Sequence, residues 1–288
     1  MRRASLWACG LALAALCGPA AATDAAVPGA EAERLVPEPL WELGLGVAAL
    51  RLPDYRGSDQ SSAYLLPLPY IVYRGEWLRA DRDGARALLL QTERVKIDLS
   101  VAASVPTRSR DNAARRGMPN LAPSLELGPN VNIELLRSAE GRVRLDLRLP
   151  LRAAVTLERS PHAIGLTLSP NLNLDLRDFG GGWKIGLLGG PLFADRAYHE
   201  HFYGVDAAYA TPQRPAFQAR AGYAGWQALG AASRRLGNTW VGAFLRYDSL
   251  RGAVFEASPL VRRDHEVSAG IGVSWIFATS GRLVAAED

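Results

Sequence analysis

Cysteine, long apolar runs and a surplus of either charge are all scarce in this 288-residue chain, and each scarcity excludes a class of protein. No apolar stretch reaches the ~20 residues that a helix needs to cross a bilayer, which excludes a helical membrane protein. Both cysteines, Cys9 and Cys17, fall near the N-terminus, and Leu16 is too bulky for the position before a lipidated cysteine. A chain cut after Ala22 is therefore cysteine-free and can hold neither a disulfide staple nor a thiolate metal site. Charge is nearly balanced, 33 basic against 29 acidic side chains, and losing Arg2 and Arg3 leaves 31 against 29. That is no nucleic-acid footprint, and no motif in the chain calls for a cofactor.

The first residues read as an export signal. Arg2 and Arg3 supply the positive start, Ala4 to Leu16 the apolar core, Pro19 its end and Ala20-Ala21-Ala22 the small residues of a cleavage site. Residues 1–22 are thus expected to be removed, 23–40 to be a mobile periplasmic lead-in rich in Ala, Glu and Pro, 41–277 to be the folded domain and 278–288 a tail.

The folded domain announces itself between Val143 and Leu157. Val143, Leu145, Leu147, Leu149, Leu151, Ala153, Val155 and Leu157 alternate with Arg144, Asp146, Arg148, Pro150, Arg152, Ala154 and Thr156. A helix would scatter the leucines around its circumference, whereas a strand sends them all to one face. Leu125, Leu127, Val131, Ile133 and Leu135 repeat the design against Ser124, Glu126, Asn130, Asn132 and Glu134. Ile164, Leu166, Leu168, Leu172, Leu174 and Leu176 do so against Thr167, Ser169, Asn171, Asn173, Asp175 and Arg177.

Such strands are longer than the ~5 to 6 residues usual in soluble sheets, and their charges suit a polar lumen opposite an apolar, lipid-facing side. Unpaired backbone groups are costly in hydrocarbon, so the sheet must close. The expected fold is an all-β antiparallel transmembrane β-barrel of about 12 strands, within roughly 10–14. Further strands are drawn at Trp41 to Leu52, Ser62 to Tyr73, Glu76 to Gln91, Arg94 to Ser104, Gly182 to Phe193, Tyr203 to Ala210, Ala216 to Arg234, Asn238 to Asp248 and Glu266 to Phe277. Asp83-Gly84 would make a good turn, but a split there gives an odd strand number, so Glu76 to Gln91 is kept whole with a kink. On this count the loops 53–61 and 249–265 face outward, and the loop Val105 to Asn120 falls on the periplasmic side.

That loop carries Arg108, Arg110, Arg115 and Arg116 against Asp111 alone. If outside, these arginines could meet lipopolysaccharide phosphates; if inside, periplasmic partners or anionic cell-wall polymer. Glu126, Glu134, Arg144, Asp146, Arg148, Arg152, Asn171, Asn173, Asp175 and Arg177 are the candidate lumen-facing polar set. They either line a conducting pore or fill it as an ion-pair network, and their alternating signs favour filling.

An enzyme is not expected. His199 and His201 could face a metal from one side of a strand, but no cysteine or carboxylate cluster joins them at zinc-like spacing. Asp264-His265 could orient an imidazole toward Ser268, the arrangement of a hydrolase, yet adjacent charged residues in a loop are commonplace.

Ordered motifs recur across the domain: Pro53-Asp54-Tyr55-Arg56-Gly57-Ser58, Pro67-Leu68-Pro69-Tyr70, Tyr73-Arg74-Gly75 and Asp81-Arg82-Asp83-Gly84. Gly222-Tyr223-Ala224-Gly225-Trp226, Arg246-Tyr247-Asp248-Ser249-Leu250 and Glu256-Ala257-Ser258-Pro259-Leu260-Val261 follow. From about Trp41 to Phe277 the pattern resembles the MipA/OmpV family of outer-membrane proteins. The resemblance implies the outer membrane of a Gram-negative bacterium, with membrane lipid and lipopolysaccharide around the barrel. In one branch it implies a scaffold joining a murein-degrading lytic transglycosylase to a penicillin-binding protein, and in others a surface antigen or adhesin. A pore is the alternative. The chain departs from the usual barrel in following its last aromatics, Trp275 and Phe277, with eleven more residues, Ala278 to Asp288.

Overall fold

The computed structural model describes residues 36–75, 78–81, 84–92 and 94–286. The expected export signal, and all of the lead-in before residue 36, lie outside the described residues. Strands run from β1 (Val36–Pro39), β2 (Trp41–Pro53), β3 (Ser61–Arg74), β4 (Leu78–Asp81) and β5 (Gly84–Gln91) to β6 (Val95–Ala103) and β7 (Ser124–Arg137). β8 (Val143–Thr156), β9 (Ala163–Leu168), β10 (Asn171–Phe179) and β11 (Trp183–Ala194) follow. After the helix α1 (Arg196–Tyr203) come β12 (Gly222–Leu236), β13 (Thr239–Ser249), β14 (His265–Thr279) and β15 (Leu283–Ala286).

Alternation decides which way each side chain points. Along β14, Glu266, Ser268 and Ser274 are buried while Val267, Ile271, Val273, Trp275 and Phe277 lie open on the other face. The same holds around the sheet: Leu65 and Ile271 keep 76% and 65% of their surface exposed, an arrangement that only lipid would cover. Aromatic residues ring this apolar face at both ends, with Phe193, Trp226 and Tyr247 toward one and Tyr73, Phe179, Trp275 and Phe277 toward the other. No described helix is long and apolar enough to cross a membrane.

Every neighbouring pair is antiparallel, and β2 joins β14 through pairs such as Val47↔Val273, so the first long strand meets the last. β8 pairs with both β9 (Leu151↔Leu168) and β10 (Arg148↔Asn171), and β11 also meets both. β9 and β10 are therefore two halves of one strand, broken at Ser169 and Pro170, where proline has no N–H for the ladder. The barrel closes with twelve strands around it.

Twelve is the expected number, reached by a different route. The segment 76–91 is not one kinked strand but a hairpin, β4 against β5, with Asp81 paired to Gly84. The segment 203–210 is not a strand: it holds the end of α1 and a 3₁₀ turn at Ala207–Tyr209. Asp195 caps α1 by accepting from the Tyr198 N–H at 2.8 Å, which commits the chain to a helix there. Ile164 also departs from its expected outward face, because a bulge between Ala154 and Val155 turns it inward to 3% exposure.

The hairpin changes which end each loop occupies. Loops 54–60, 104–123, 157–162, 195–221 and 250–264 all lie at one end, and short turns at 138–142, 180–182 and 237–238 at the other. The expected periplasmic placement of the 105–120 loop is thereby overturned, since outer-membrane barrels keep short turns inside and long loops outside. At the short-turn end β1 and β15 pair with each other (Glu38↔Val284), so the lead-in and the tail each contribute a strand. Glu38 and the fully buried Glu42 both bind Arg74, and Glu42 also binds Arg235, tying this ribbon to the barrel.

Candidate functional site

The long loops fold together into a cap with a core of its own. Tyr55, Leu121, Tyr203, Val205, Leu250, Phe255 and Leu260 are buried against one another, drawn from four loops far apart in sequence. Tyr203 stacks on Phe255 at 3.7 Å between ring centroids, and the His199 ring meets Phe255 edge-on at 4.7 Å. Polar contacts lock the packing: the Tyr55 hydroxyl donates to the Leu260 carbonyl at 2.8 Å, and the Ser258 hydroxyl to the Tyr203 carbonyl at 2.7 Å. Asn112 donates to Asp54 and Ser58, joining the loops 54–60 and 104–123. Burial pushes the phenols of Tyr55 and Tyr203 well above their ordinary range, so both remain donors.

Where the cap meets the wall, Asp248 holds two guanidinium groups. Arg56 Nε donates to it at 2.9 Å, and Arg246 Nε and Nη2 at 2.6 and 2.9 Å. Arg56 Nη1 also reaches the Ala224 carbonyl, and the Gly57 N–H donates to Glu266 at 2.9 Å. α1 lies against β9 because Gly165 has no side chain: a Cβ there would stand 2.3 Å from Asp195 Oδ1 and 2.5 Å from Tyr198 N. Tyr198 then drops its hydroxyl onto Glu126 at 2.8 Å, linking cap to lumen.

The four loop arginines separate. Arg115 is buried at 3% exposure, bonded to the Phe202 carbonyl at 2.9 Å and set 5.8 Å above the Tyr55 ring. It is a cap strut, which corrects its assignment as an open loop contact. Arg108, Arg110 and Arg116 are exposed on the outer rim; Arg110 lies 3.5 Å from Asp111, and the Arg116 carbonyl accepts from Arg214.

The lumen is two-sided. Over β7, β8 and β10 it is polar: Glu126 accepts from Thr167 and Tyr198, and Glu134 pairs with Arg137 and, at 3.5 Å, with Arg144. Arg144 donates to the buried Asp146 at 3.0 Å, and Arg148 lies 3.6 Å from Asp175, which Asn173 also binds. Arg152 donates twice to Ser100, Asn171 binds the Ser169 carbonyl, and the half-buried Arg177 stands near the periplasmic turn. Toward the short-turn end of β3, β13 and β14 the interior carries an apolar cluster instead. Tyr70, Val72 and Ile276 pack with Trp240, and Gly270 leaves room for Phe244, whose Cε1 lies 2.4 Å from where a Cβ would stand. The apolar filling was missed because Leu66, Leu68 and Tyr70 sit in a β3 whose two faces are both apolar, so alternation carries no signal there.

The histidines do not form a metal or hydrolytic constellation among the described residues. His199 sits inside the cap with its Nδ1 on the Arg220 carbonyl at 2.6 Å, and burial lowers its pKa. His201 lies 6.4 Å from His162, centroid to centroid; burial, then Arg115 and His162, lowers its pKa to about 4. Asp264 and His265 do bond, at 2.6 Å, but His265 is on the outer face of β14 and Ser268 on the inner one.

A closed barrel with an apolar exterior, ion pairs across its lumen and a loop-built cap defines an outer-membrane β-barrel. The sequence model of the family described as MltA-interacting protein MipA matches residues 45–277, and the chain belongs to that family. No curated protein matches the chain. Among solved structures, a bacterial polysaccharide outer membrane secretin is similar at 10% identity, covering 82% of this chain and 99% of that one with a TM-score of 0.41. The CymD monoaromatic hydrocarbon channel is similar at 10% identity, over 83% and 89%, with a TM-score of 0.29.

Proposed function

We propose that this barrel is a docking protein that holds a lytic transglycosylase at its periplasmic end and, through it, a murein-synthesising penicillin-binding protein. The observation that carries the reading is the β1–β15 ribbon, a short sheet standing at the short-turn end and braced by Glu38, Arg74, Glu42 and Arg235. Among the described residues neither of its strands has a second strand partner; Pro37 and Pro39 offer no N–H on β1, so the edge of β15 is the one that suits strand addition by another protein. The family description, which names interaction with MltA, points the same way. The loop-built cap and the ion pairs inside the lumen support docking over solute passage as the main task. Arg108, Arg110 and Arg116 belong to the opposite end, where their chemistry suits lipopolysaccharide phosphates.

Pull-down from detergent-solubilised envelopes tests the reading. The intact chain should retain a lytic transglycosylase, a Val284→Pro chain should lose most of it, and Arg116→Ala should change nothing. A transglycosylase absent from the intact chain's eluate would overturn the proposal.

A further inference from the structure

The ladder that closes the barrel is thin at one seam. β3 meets β4 only through Tyr73 and Arg74, and β4 turns back into β5 at Asp81 and Gly84. β5 in turn pairs with β6 only through Leu88, Leu90 and Gln91, against Asp98, Ile97 and Lys96. All of these rungs lie toward the short-turn end. Above them, among the described residues, the edge of β3 from Ala63 to Pro69 has no strand beside it, and β6 from Leu99 to Ala103 pairs with β7 alone. The free edge runs about 20 Å along the strand at ~3.3 Å per residue, more than the ~15 Å of one leaflet's hydrocarbon.

The sequence of β3 fits an edge that is left open. The Arg74 N–H donates to the Leu40 carbonyl at 2.8 Å, so even-numbered residues of β3 turn their backbone groups toward β2 and odd-numbered ones toward the seam. Pro67 and Pro69 are both odd, and neither has an N–H to give a neighbouring strand. β3 is also apolar on both faces: Leu65 and Pro67 look outward, Leu66 and Leu68 inward. The inner row continues into Tyr70, which packs with Trp240 in the apolar cluster. An apolar surface therefore passes from the lipid-facing wall, round the open edge, into the lumen. An acyl chain can follow it, while water within the lumen solvates the free carbonyls of the edge.

One charge marks where a head group would sit. Arg51, outward on β2 and directly opposite Ala63, is exposed at the outer end of the lipid-facing row Leu45, Val47 and Ala49. It bonds to the Ser61 hydroxyl at 3.3 Å, and no carboxylate pairs with it among the described residues. A guanidinium on a lipid-facing surface is stable where it reaches an anionic group at the interface.

We infer that the seam between β3 and β6 is a lateral window through which the chain of a single-chain anionic amphiphile, a long-chain carboxylate, enters the lumen, with its head group held by Arg51. From Ala63 the chain runs down the edge to Leu66 and Leu68, and one strand edge offers a path for one chain. The inference is independent of docking through the ribbon.

Photocrosslinking tests it, on the full chain reconstituted in phosphatidylcholine vesicles, with a diazirine-bearing palmitate as probe and adducts mapped by peptide mass spectrometry. Adducts should form on the inward Leu66, Leu68 or Trp240 as well as on the outward wall. Unlabelled palmitate should compete for the inner ones, and hexadecanol, which lacks the charge, should not. Arg51→Gln should cut the inner adducts about tenfold, the worth of one charge-assisted hydrogen bond, and leave those on the outward Ile271 unchanged. Arg51 is a surface residue, and heat-modifiable gel migration establishes that the variant is a closed barrel. Adducts confined to outward residues, competition by hexadecanol equal to that by palmitate, or full inner labelling in Arg51→Gln would each overturn the window.

Discussion

Asp248 is 1% exposed and has two arginines on it, so the two ends of this cluster are not equivalent. Asp248→Ala strands Arg56 and Arg246 together and should cost about 3–5 kcal/mol, the range for breaking a buried pair. Arg56→Ala leaves Arg246 on the carboxylate and should cost about 1–3 kcal/mol. Urea unfolding in lipid vesicles measures both, and equal losses would mean that Arg246 does not hold Asp248 alone. His201 adds a pH dependence of definite sign. Its folded-state pKa of about 4 lies below the ordinary ~6.5, so the folded cap disfavours the proton. The stability it contributes is full above about 6.5 and is lost as the pH falls toward and through about 4. Hydrogen exchange of residues 196–221, corrected for intrinsic rates, should show the cap loosening across that window. His201→Phe should shallow the slope, with His199 supplying the remainder because its pKa is lowered as well.

At the level of elements, α1 depends on a residue outside itself. Gly165→Val would drive a side chain into Asp195 and Tyr198, on backbone at φ +132° that valine resists. The expected outcome is a displaced helix, a lost Tyr198–Glu126 bond and faster protease cleavage within 195–221, with the barrel still heat-modifiable; an unchanged cleavage rate would contradict the packing of α1 on β9. The same helix shows where the sequence was readable and where it was not. β7, β8 and β10 were legible because leucine and arginine alternate there, a contrast that survives any neighbour. The aromatic run through Tyr203 and Tyr209 imitates a strand, yet Asp195 three residues before Tyr198 was the available sign of a helix start. The cap cluster was in view as motifs around Tyr55, Arg56, Asp248 and Leu260, but tertiary contacts over some 200 residues leave no local period to read. Arg115 was visible as a charge in a loop; that it would be buried depends on Tyr55 and Phe202, which no spacing announces.

For the whole molecule, the cap and the ion pairs of the lumen predict low permeability. Reconstituted in a planar bilayer, the intact chain should be silent, and steady conductance would contradict a cap that spans the mouth. The ribbon of β1 and β15 has a different consequence. Because it holds the two ends of the described chain side by side, and β2 zips to β14 directly above it, the barrel is close to a ring of polypeptide. In a ring no strand is first or last: the glycine turn at 180–182 on the same end could serve as the break in place of the natural one. What the termini contribute is therefore a clasp on the barrel wall, not an order in which it must be read.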